Sequence, residues 1–270
     1  MFSCRICGND TNNTHHIGVE KKQGSGDKFN YVRCDDCGCL QIEEYPANIA
    51  RYYDCYYSLH QPKVKKSLLS DWMRKQLFYY LLGGVNPVGK LLDCFFKNSF
   101  NWIVPNKFSF NSSIIDVGCG YGRLILKMAQ SGFKNLEGID PFLESDITYC
   151  LNDKRNLFIK KTDLFSLDKQ YDVIMLHHVL EHLPNQHDVF QKITFLMHNE
   201  SVLIINLPTM NNYYWENFGM NAFQLDDVPR HYYIHTHKSL SKIAEKHGLQ
   251  LLSEKTLENS GLSCFYFSLK

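Results

Sequence analysis

Ile114-Ile115-Asp116-Val117-Gly118-Cys119-Gly120-Tyr121-Gly122 reads as the end of a buried strand running into a glycine turn. The stretch that follows, from Arg123 through Gln130, reads as the start of a helix. Glycines let the backbone approach a ligand closely, and a helix N-terminus offers unpaired N–H groups. Strand, turn and helix start therefore form a cradle for a nucleotide-like ligand. A second strand ends in Gly138-Ile139-Asp140. Its acid falls about 20 residues past the turn, where a carboxylate can grip a ribose diol.

The spacing excludes two common nucleotide motifs. A dinucleotide fingerprint needs a third glycine where Arg123 stands, and no Lys-Ser/Thr pair follows the turn as a phosphate-binding loop requires. The pattern is D-x-G-x-G-x-G, running from Asp116 to Gly122. It resembles the class I S-adenosylmethionine (AdoMet)-dependent methyltransferases. The resemblance implies a Rossmann-like, mostly parallel, seven-stranded α/β sheet. It also implies that the turn (Asp116, Gly118, Cys119, Gly120, Gly122) contacts the methionine part of AdoMet, with Asp140 and Pro141 at the ribose.

The chain has 270 residues, 44% hydrophobic and 21% charged, with a formal net charge of +1. These values describe a folded protein with one sizeable core, or a core plus a small module, and no global field for nucleic acid or an anionic membrane, with a local patch left open. No apolar run approaches the ~20 residues of a membrane span. The first residues lack the charged-then-apolar order of a signal peptide, so a cytoplasmic location is expected.

Four of the ten cysteines have metal-ligand spacing: Cys4-x-x-Cys7 and Cys34-x-x-Cys37, each pair followed by a glycine. Two such knuckles make a tetrahedral thiolate site for structural Zn²⁺, although the intervening stretch is long for the type. A metal would stand in for the hydrophobic core that about 45 residues cannot build. Cys39 breaks the spacing, and His15 and His16 read as loop residues. Cys55, Cys94, Cys119, Cys150 and Cys264 read as scattered buried thiols.

The expected organisation is a ribbon and Tyr-rich linker over 1–62, a helical cap over 63–112 and a catalytic domain over 113–270. The ribbon's short strands fall near 31–33 and 40–42. The tyrosines of 49–60 either pack between modules or stack on a ring. The helical cap either covers the sheet or, with its lysines, lies on a membrane surface. Catalytic-domain strands are expected at 113–117, 135–139, 157–160, 171–177 and 201–207. Helices are expected at 121–131, 144–152, 186–198 and 237–247, with two closing strands at 249–254 and 263–268.

Ligands in such sheets sit beyond the carboxyl ends of the strands. There the family resemblance gives Asp163, with Leu164, to the adenine amino group; helix capping is the alternative for Asp163. The fourth strand ends in His177-His178-Val179-Leu180-Glu181-His182, which resembles the family's methyl-transfer face, with His177 at the cofactor. A histidine there (His178 or His182) either acts as general base or packs the cofactor floor. A third reading is that His178, Glu181 and His182 bind a divalent ion. Some RNA 2′-O-methyltransferases of this superfamily carry E-x-x-E-H in this place, where this chain has His178 for the first glutamate.

A long aromatic insert follows the fifth strand, from Asn206 to Tyr233. A loop of that length in a compact fold is usually functional. Its candidates are His231 as a base, and Arg230 and Tyr214 as acceptor-binding residues. The Asp227-Val228-Pro229-Arg230-His231 stretch and the ribbon resemble methyltransferases of bacterial surface-glycan and nucleotide-sugar synthesis. The expectation is O-methylation of a small-molecule acceptor, a sugar or nucleotide sugar; a homo-oligomer stays open. The sugar C-methyltransferases that share the ribbon usually carry a further C-terminal domain, which turns the expectation toward oxygen. The alternatives are an rRNA or tRNA methyltransferase with the ribbon as RNA clamp, and a non-catalytic binding module of the same fold.

Overall fold

The computed structural model describes residues 2–53, 62–64, 67–96, 100, 102–256 and 261–270. Its centre is the quoted strand. β4 (Ser113–Val117) is buried along nearly its whole length, as a strand covered on both faces must be. Alternation sends its side chains to opposite faces. Ile114 packs with Phe78, Ile125, Met128 and Phe133. Ile115 and Val117 join the other core, with Ile174, Leu203, Phe190 and Ile243.

The elements follow in chain order. The N-terminal part holds β1 (Thr14–Val19), β2 (Lys28–Arg33) and β3 (Leu40–Ile42), then helices α1 (Leu68–Leu81) and α2 (Pro87–Phe96). The sheet then alternates: β4, α3 (Arg123–Gln130), β5 (Asn135–Ile139), β6 (Ile147–Cys150), β7 (Asn156–Lys160), β8 (Tyr171–His177), α4 (Gln186–Phe195) and β9 (Met197–Pro208). The insert holds α5 (Asn212–Phe218) and β10 (Tyr233–Ile234). The chain closes with α6 (His237–Lys246), β11 (Leu249–Thr256) and β12 (Leu262–Leu269).

Eight strands form the main sheet, in the order β11-β12-β9-β8-β4-β5-β7-β6. The five inner strands from β9 to β7 pair in parallel, and the outer strands are antiparallel. The expected seven-stranded count is thus corrected to eight. The extra strand is β6, in a segment expected to be helical over 144–152. Ile147, Thr148 and Tyr149 are β-branched or aromatic, and only Tyr149 is buried, so a helix there would have no apolar face to bury. The segment instead turns back through Lys154, at φ 67°, and pairs antiparallel with β7.

The ribbon is joined to the rest. β1, β2 and β3 form a four-stranded sheet whose last member is β10 from the insert, almost 200 residues later in the chain. β1 was not expected. Its two histidines and its exposed face hide the strand period, and only Gly18 is fully buried. His15 and His16 therefore lie on a strand rather than in a loop. Cys4, Ile6, Tyr31, Leu40 and Ile42 share one core with Ile174, Leu203 and Ile243. The Thr236 side chain caps α6 with Ser239 in a capping box, and its hydroxyl also donates to the carbonyl of Cys37 at 2.6 Å. Lys238 and Lys242 pair with Asp36.

α1 covers the opposite face of the sheet through Phe78, packed edge-on to Phe133 at 5.2 Å. No helix among the described residues is long and apolar enough to cross a membrane.

Candidate active site

The quoted turn builds one wall of a cleft at the carboxyl ends of the parallel strands. Gly118, Gly120 and Gly122 all have positive φ (67°, 55° and 71°), where an L-residue is strained. Two of them also pack tightly. A Cβ on Gly118 would stand 2.6 Å from Val179, and one on Gly122 would stand 2.6 Å from Ile159. Gly120 differs: a Cβ there would meet no protein atom within 4 Å. Its backbone faces open space, as a ligand cradle requires.

Asp140 is buried and grips the turn. Its Oδ2 accepts from the Gly120 N–H and its Oδ1 from the Phe142 N–H, both at 2.9 Å. Burial raises its pKa. Asp116 is also buried, and burial together with the charge of Asp140 pushes it up to about 7. Two acids thus stand behind the turn. Asp163 sits on the cleft rim, where its Oδ1 accepts from the Ser166 N–H and hydroxyl at 3.0 Å each; the capping role is realised at a cleft position.

The cleft measures about 270 Å³. Of the expected residues, Gly118, Asp140, Pro141, Asp163, Leu164, His178 and His182 line it. Its aromatic walls were missed: Phe142 and Phe165 are exposed there, Tyr53 stacks on Phe142 at 5.4 Å, and Tyr232 closes one side. Tyr53, from the Tyr-rich run, and Tyr232, from the aromatic insert, carry a signal in the sequence. Residues 54–60 of that run, with Cys55, lie outside the described residues.

The sulfonium and amino groups of AdoMet are cationic, and its adenine is flat and apolar. A glycine cradle backed by two acids and an aromatic-walled slot fits that donor pattern. Gly118, Gly120, Asp140, Asp163, Leu164 and Phe165 are the residues that would hold it.

The opposite wall is made by histidines. His178 follows the last residue of β8 with φ 56°, its N–H donating to the Asn206 carbonyl at 2.7 Å. It is half exposed, with Nδ1 3.6 Å from Glu181, whose carboxylate raises its pKa. His177 is a correction: its ring packs against Trp102 at 5.3 Å, outside the cleft lining, because strand alternation sends it to the other face. Burial holds it down, to about 4.

His182 Nδ1 donates to the Arg230 carbonyl at 2.9 Å, and His231 Nδ1 to the Gln224 carbonyl at 2.8 Å. Their rings lie 4.8 Å apart. Burial pushes both down to about 4. His231 lies behind the cleft surface, against His182. Glu181 is fully buried, with a carboxylate oxygen within 4.8 Å of a ring nitrogen of each.

Two expected acceptor-binding residues stand elsewhere. Arg230 is buried, ion-paired with Asp227 and set over the Tyr53 ring at 5.2 Å, so it braces the loop from behind the wall. Tyr214 packs with Tyr213 and Phe218 on the insert, away from the cleft lining. Short-range sequence reading could not separate these positions from His231, because only the loop's fold decides which way each side chain turns.

The ribbon supports this wall. The Tyr31 hydroxyl, fully buried, donates to the His231 carbonyl at 2.8 Å. The Ile42 N–H donates to the Tyr232 carbonyl, and the Tyr232 N–H to the Glu181 carbonyl, both at 2.9 Å.

The four ribbon cysteines converge within 4.8 Å. Cys4 and Cys37 sulfurs lie 3.7 Å apart, and those of Cys7 and Cys34 lie 3.5 Å apart, all as free thiols. A tetrahedron with ~2.3 Å Zn–S bonds has edges of about 3.8 Å, so the spacing fits zinc. Gly8 and Gly38, at φ 83° and 71°, close the knuckles. The Cys37 N–H and the Gln41 side-chain amide donate to the sulfurs of Cys34 and Cys4. The hydrogen bond between Cys4 and Cys37 lowers the Cys4 thiol and raises that of Cys37, so without a metal only one of the pair ionises readily. Cys39 is buried outside the cluster, and Cys94 and Cys150 are exposed rather than buried.

Comparison with known proteins agrees with this geometry. The profile of a methyltransferase domain family matches residues 75–254, and the chain belongs to that family. The sheet and turn are those of a class I AdoMet-dependent methyltransferase domain. Among curated relatives, the chain is 27% identical over 147 residues to a ubiquinone biosynthesis O-methyltransferase of Rickettsia bellii (strain OSU 85-389), covering 50% of this chain and 56% of that protein. It is 29% identical over 103 residues to a probable (S)-tetrahydroprotoberberine N-methyltransferase 2 of Papaver bracteatum, covering 35% and 28%. The chain thus spans between about a quarter and just over half of these relatives' lengths. Among solved structures, the mitomycin 7-O-methyltransferase MmcR superposes with a TM-score of 0.49 at 14% identity, over 72% of this chain and 60% of that one.

Proposed function

We propose that this protein transfers the AdoMet methyl group to a hydroxyl of a sugar or sugar-linked molecule in bacterial polysaccharide synthesis, with a structural zinc in its ribbon. The single observation that carries oxygen as the acceptor is His178. It is half exposed in the cleft beside the glycine turn, with the buried Glu181 carboxylate 3.6 Å from its Nδ1. An oxygen nucleophile must lose a proton as it is methylated. A histidine backed by a carboxylate is suited to take it, as in other His–carboxylate pairs.

AdoMet, when bound, supplies a methyl on a sulfonium that is already a good leaving group. The chain's tasks are alignment, exclusion of water and removal of the proton. Gly118, Gly120 and Asp140 fix the cofactor side. Tyr53, Phe142 and Tyr232 offer flat apolar faces of the kind a sugar ring stacks on, and they narrow the cleft against water. His178 accepts the proton, and Glu181 stabilises the imidazolium. The surface-glycan character of the acceptor is supported by the resemblance of the ribbon and of the 227–231 stretch. The O- and N-methyltransferases among the relatives support small-molecule acceptors more broadly.

The test is turnover with AdoMet over a panel of nucleotide sugars, phosphorylated sugars and short RNAs, read by mass spectrometry. A sugar product heavier by one methylene supports the reading, and methylation of RNA alone overturns it. His178→Asn should lower kcat by about 10²-fold or more, within the range of general-base catalysis, and leave AdoMet affinity in place.

A further inference from the structure

We infer that Glu181, His182 and His231 form a binding site for a divalent cation at the floor of the acceptor side of the cleft. The first observation is Glu181. It is fully buried, and neither carboxylate oxygen accepts a hydrogen bond. Native proteins rarely leave a buried carboxylate without a hydrogen-bond donor. The nearest cationic group is His178, at 3.6 Å and half exposed.

The second observation is the orientation of the two histidines. Each spends its Nδ1–H on a backbone carbonyl, His182 on Arg230 and His231 on Gln224. A neutral imidazole has one N–H, so each Nε2 is left as a lone pair. Histidines that bind metals are commonly held in this way, with the second nitrogen donating to a carbonyl that fixes the ring. Here both carbonyls belong to the insert, which the ribbon braces through Tyr31.

The third observation is convergence. One donor atom from each of the three residues lies within 4.8 Å of the others. Donors around one ion with ~2.1 Å bonds stand roughly 3–4.2 Å apart, so spacings of up to 4.8 Å are at, or within about 0.6 Å of, coordination range. Asp227 stands just outside, with Oδ2 3.7 Å from His231 Nε2 and its other oxygen paired with Arg230 and Lys22. It adds negative charge around the site.

Two imidazoles and one carboxylate suit Zn²⁺, Mn²⁺ or a similar ion and leave coordination positions open. His182 lines the cleft, so those positions face the space where the acceptor must lie. A hydroxyl bound to such an ion loses its proton more readily. The cation would thus prepare the acceptor hydroxyl whose proton His178 takes; this consequence rests on the proposed function, whereas binding of the ion does not. The ligand set differs from the sequence-based trio: His231, 50 residues away in sequence, takes the place of His178.

The test is titration of the intact, zinc-replete protein with Mn²⁺, followed by loss of the free-ion electron paramagnetic resonance signal. One Mn²⁺ per chain is expected, and Glu181→Gln and His231→Asn should each weaken binding at least tenfold. AdoMet affinity, measured on the same preparations, shows that each variant is folded; His182→Asn replaces either variant that is not. No Mn²⁺ bound by the wild-type protein, or equal binding by folded variants, overturns the site. Methylation of the sugar panel is assayed in parallel. Methylation without Mn²⁺ binding rejects only the cation site, and Mn²⁺ binding without methylation of any sugar rejects only the proposed acceptor.

Discussion

The two walls of the cleft are built in opposite ways. The cofactor wall comes from strand ends that neighbour one another in the sheet: residues 114–142, which hold a strand, a glycine turn, a helix and the acid that ends the next strand, and Asp163–Phe165 just past β7. The acceptor wall is assembled from three distant pieces: the end of β8, the insert around His231, and the ribbon that holds the insert through Tyr31 and the β3–β10 pairing. A wall made of neighbours needs only local geometry to form. A wall made of strangers depends on every long-range contact that joins them, and it should fail separately when those contacts are cut.

The largest separation should come from the ribbon. A structural zinc site contributes on the order of 10 kcal/mol to folding, and the four ribbon cysteines are proposed to hold one. The Cys34→Ser/Cys37→Ser double variant should therefore release the ribbon, and His231 with it. Methyl transfer should fall by about 10²-fold or more while AdoMet affinity changes little. Calorimetric titration with AdoMet and a turnover assay read the two effects side by side.

The mirror-image change is Asp140→Ala. It removes a buried carboxylate that holds the Gly120 and Phe142 N–H groups. Hydrogen bonds to a charged group are worth about 1.5–3 kcal/mol each, so AdoMet affinity should fall by roughly ten- to a hundredfold. The proposed ribbon zinc, measured by elemental analysis, should be retained.

A finer cut is Tyr31→Phe, which deletes one hydroxyl and leaves the buried His231 carbonyl without its donor. An unsatisfied buried group costs about 1–3 kcal/mol. The expected outcome is a several-fold lower kcat with unaltered AdoMet affinity, although Tyr31 belongs to the ribbon and lies outside the cleft lining.

The smallest effect is a pH dependence confined to the cofactor wall. Asp116 has its pKa raised to about 7 by burial and by Asp140. AdoMet brings positive charge and favours the ionised acid, so affinity should rise as pH increases from about 6 to 8. Asp116→Asn should flatten the profile. The sign for stability is the reverse. A carboxyl with a raised folded pKa contributes stability that is fully present below its unfolded value near 3.8 and is lost as pH rises through about 7. In the absence of AdoMet, thermal unfolding should therefore show the wild-type protein losing stability across that window relative to Asp116→Asn.

The same contrast explains what could be read from the sequence. The turn, Asp140 and the inner strands follow from local pattern: apolar runs, glycines and an acid at fixed spacing. The cysteine knuckles were legible for the same reason. The strand at 147–150 reads as a helix because, in a segment with a single buried side chain, nothing local signals its pairing with β7. His177 and His178 are adjacent, yet only the positive φ of His178 turns it into the cleft. Arg230 and His231 are adjacent too, and Asp227 captures the arginine. Phe142, Phe165 and Tyr232 become cleft residues only once the strand ends and the insert are brought together.

The most direct measurement is hydrogen–deuterium exchange on zinc-loaded and zinc-depleted protein, each with and without AdoMet. AdoMet should protect residues 114–142 and 163–165 in both forms, while zinc removal should raise exchange across 224–235. Loss of AdoMet protection on zinc removal, or unchanged exchange at 224–235, would contradict the division of the cleft into a locally built cofactor wall and a ribbon-held acceptor wall.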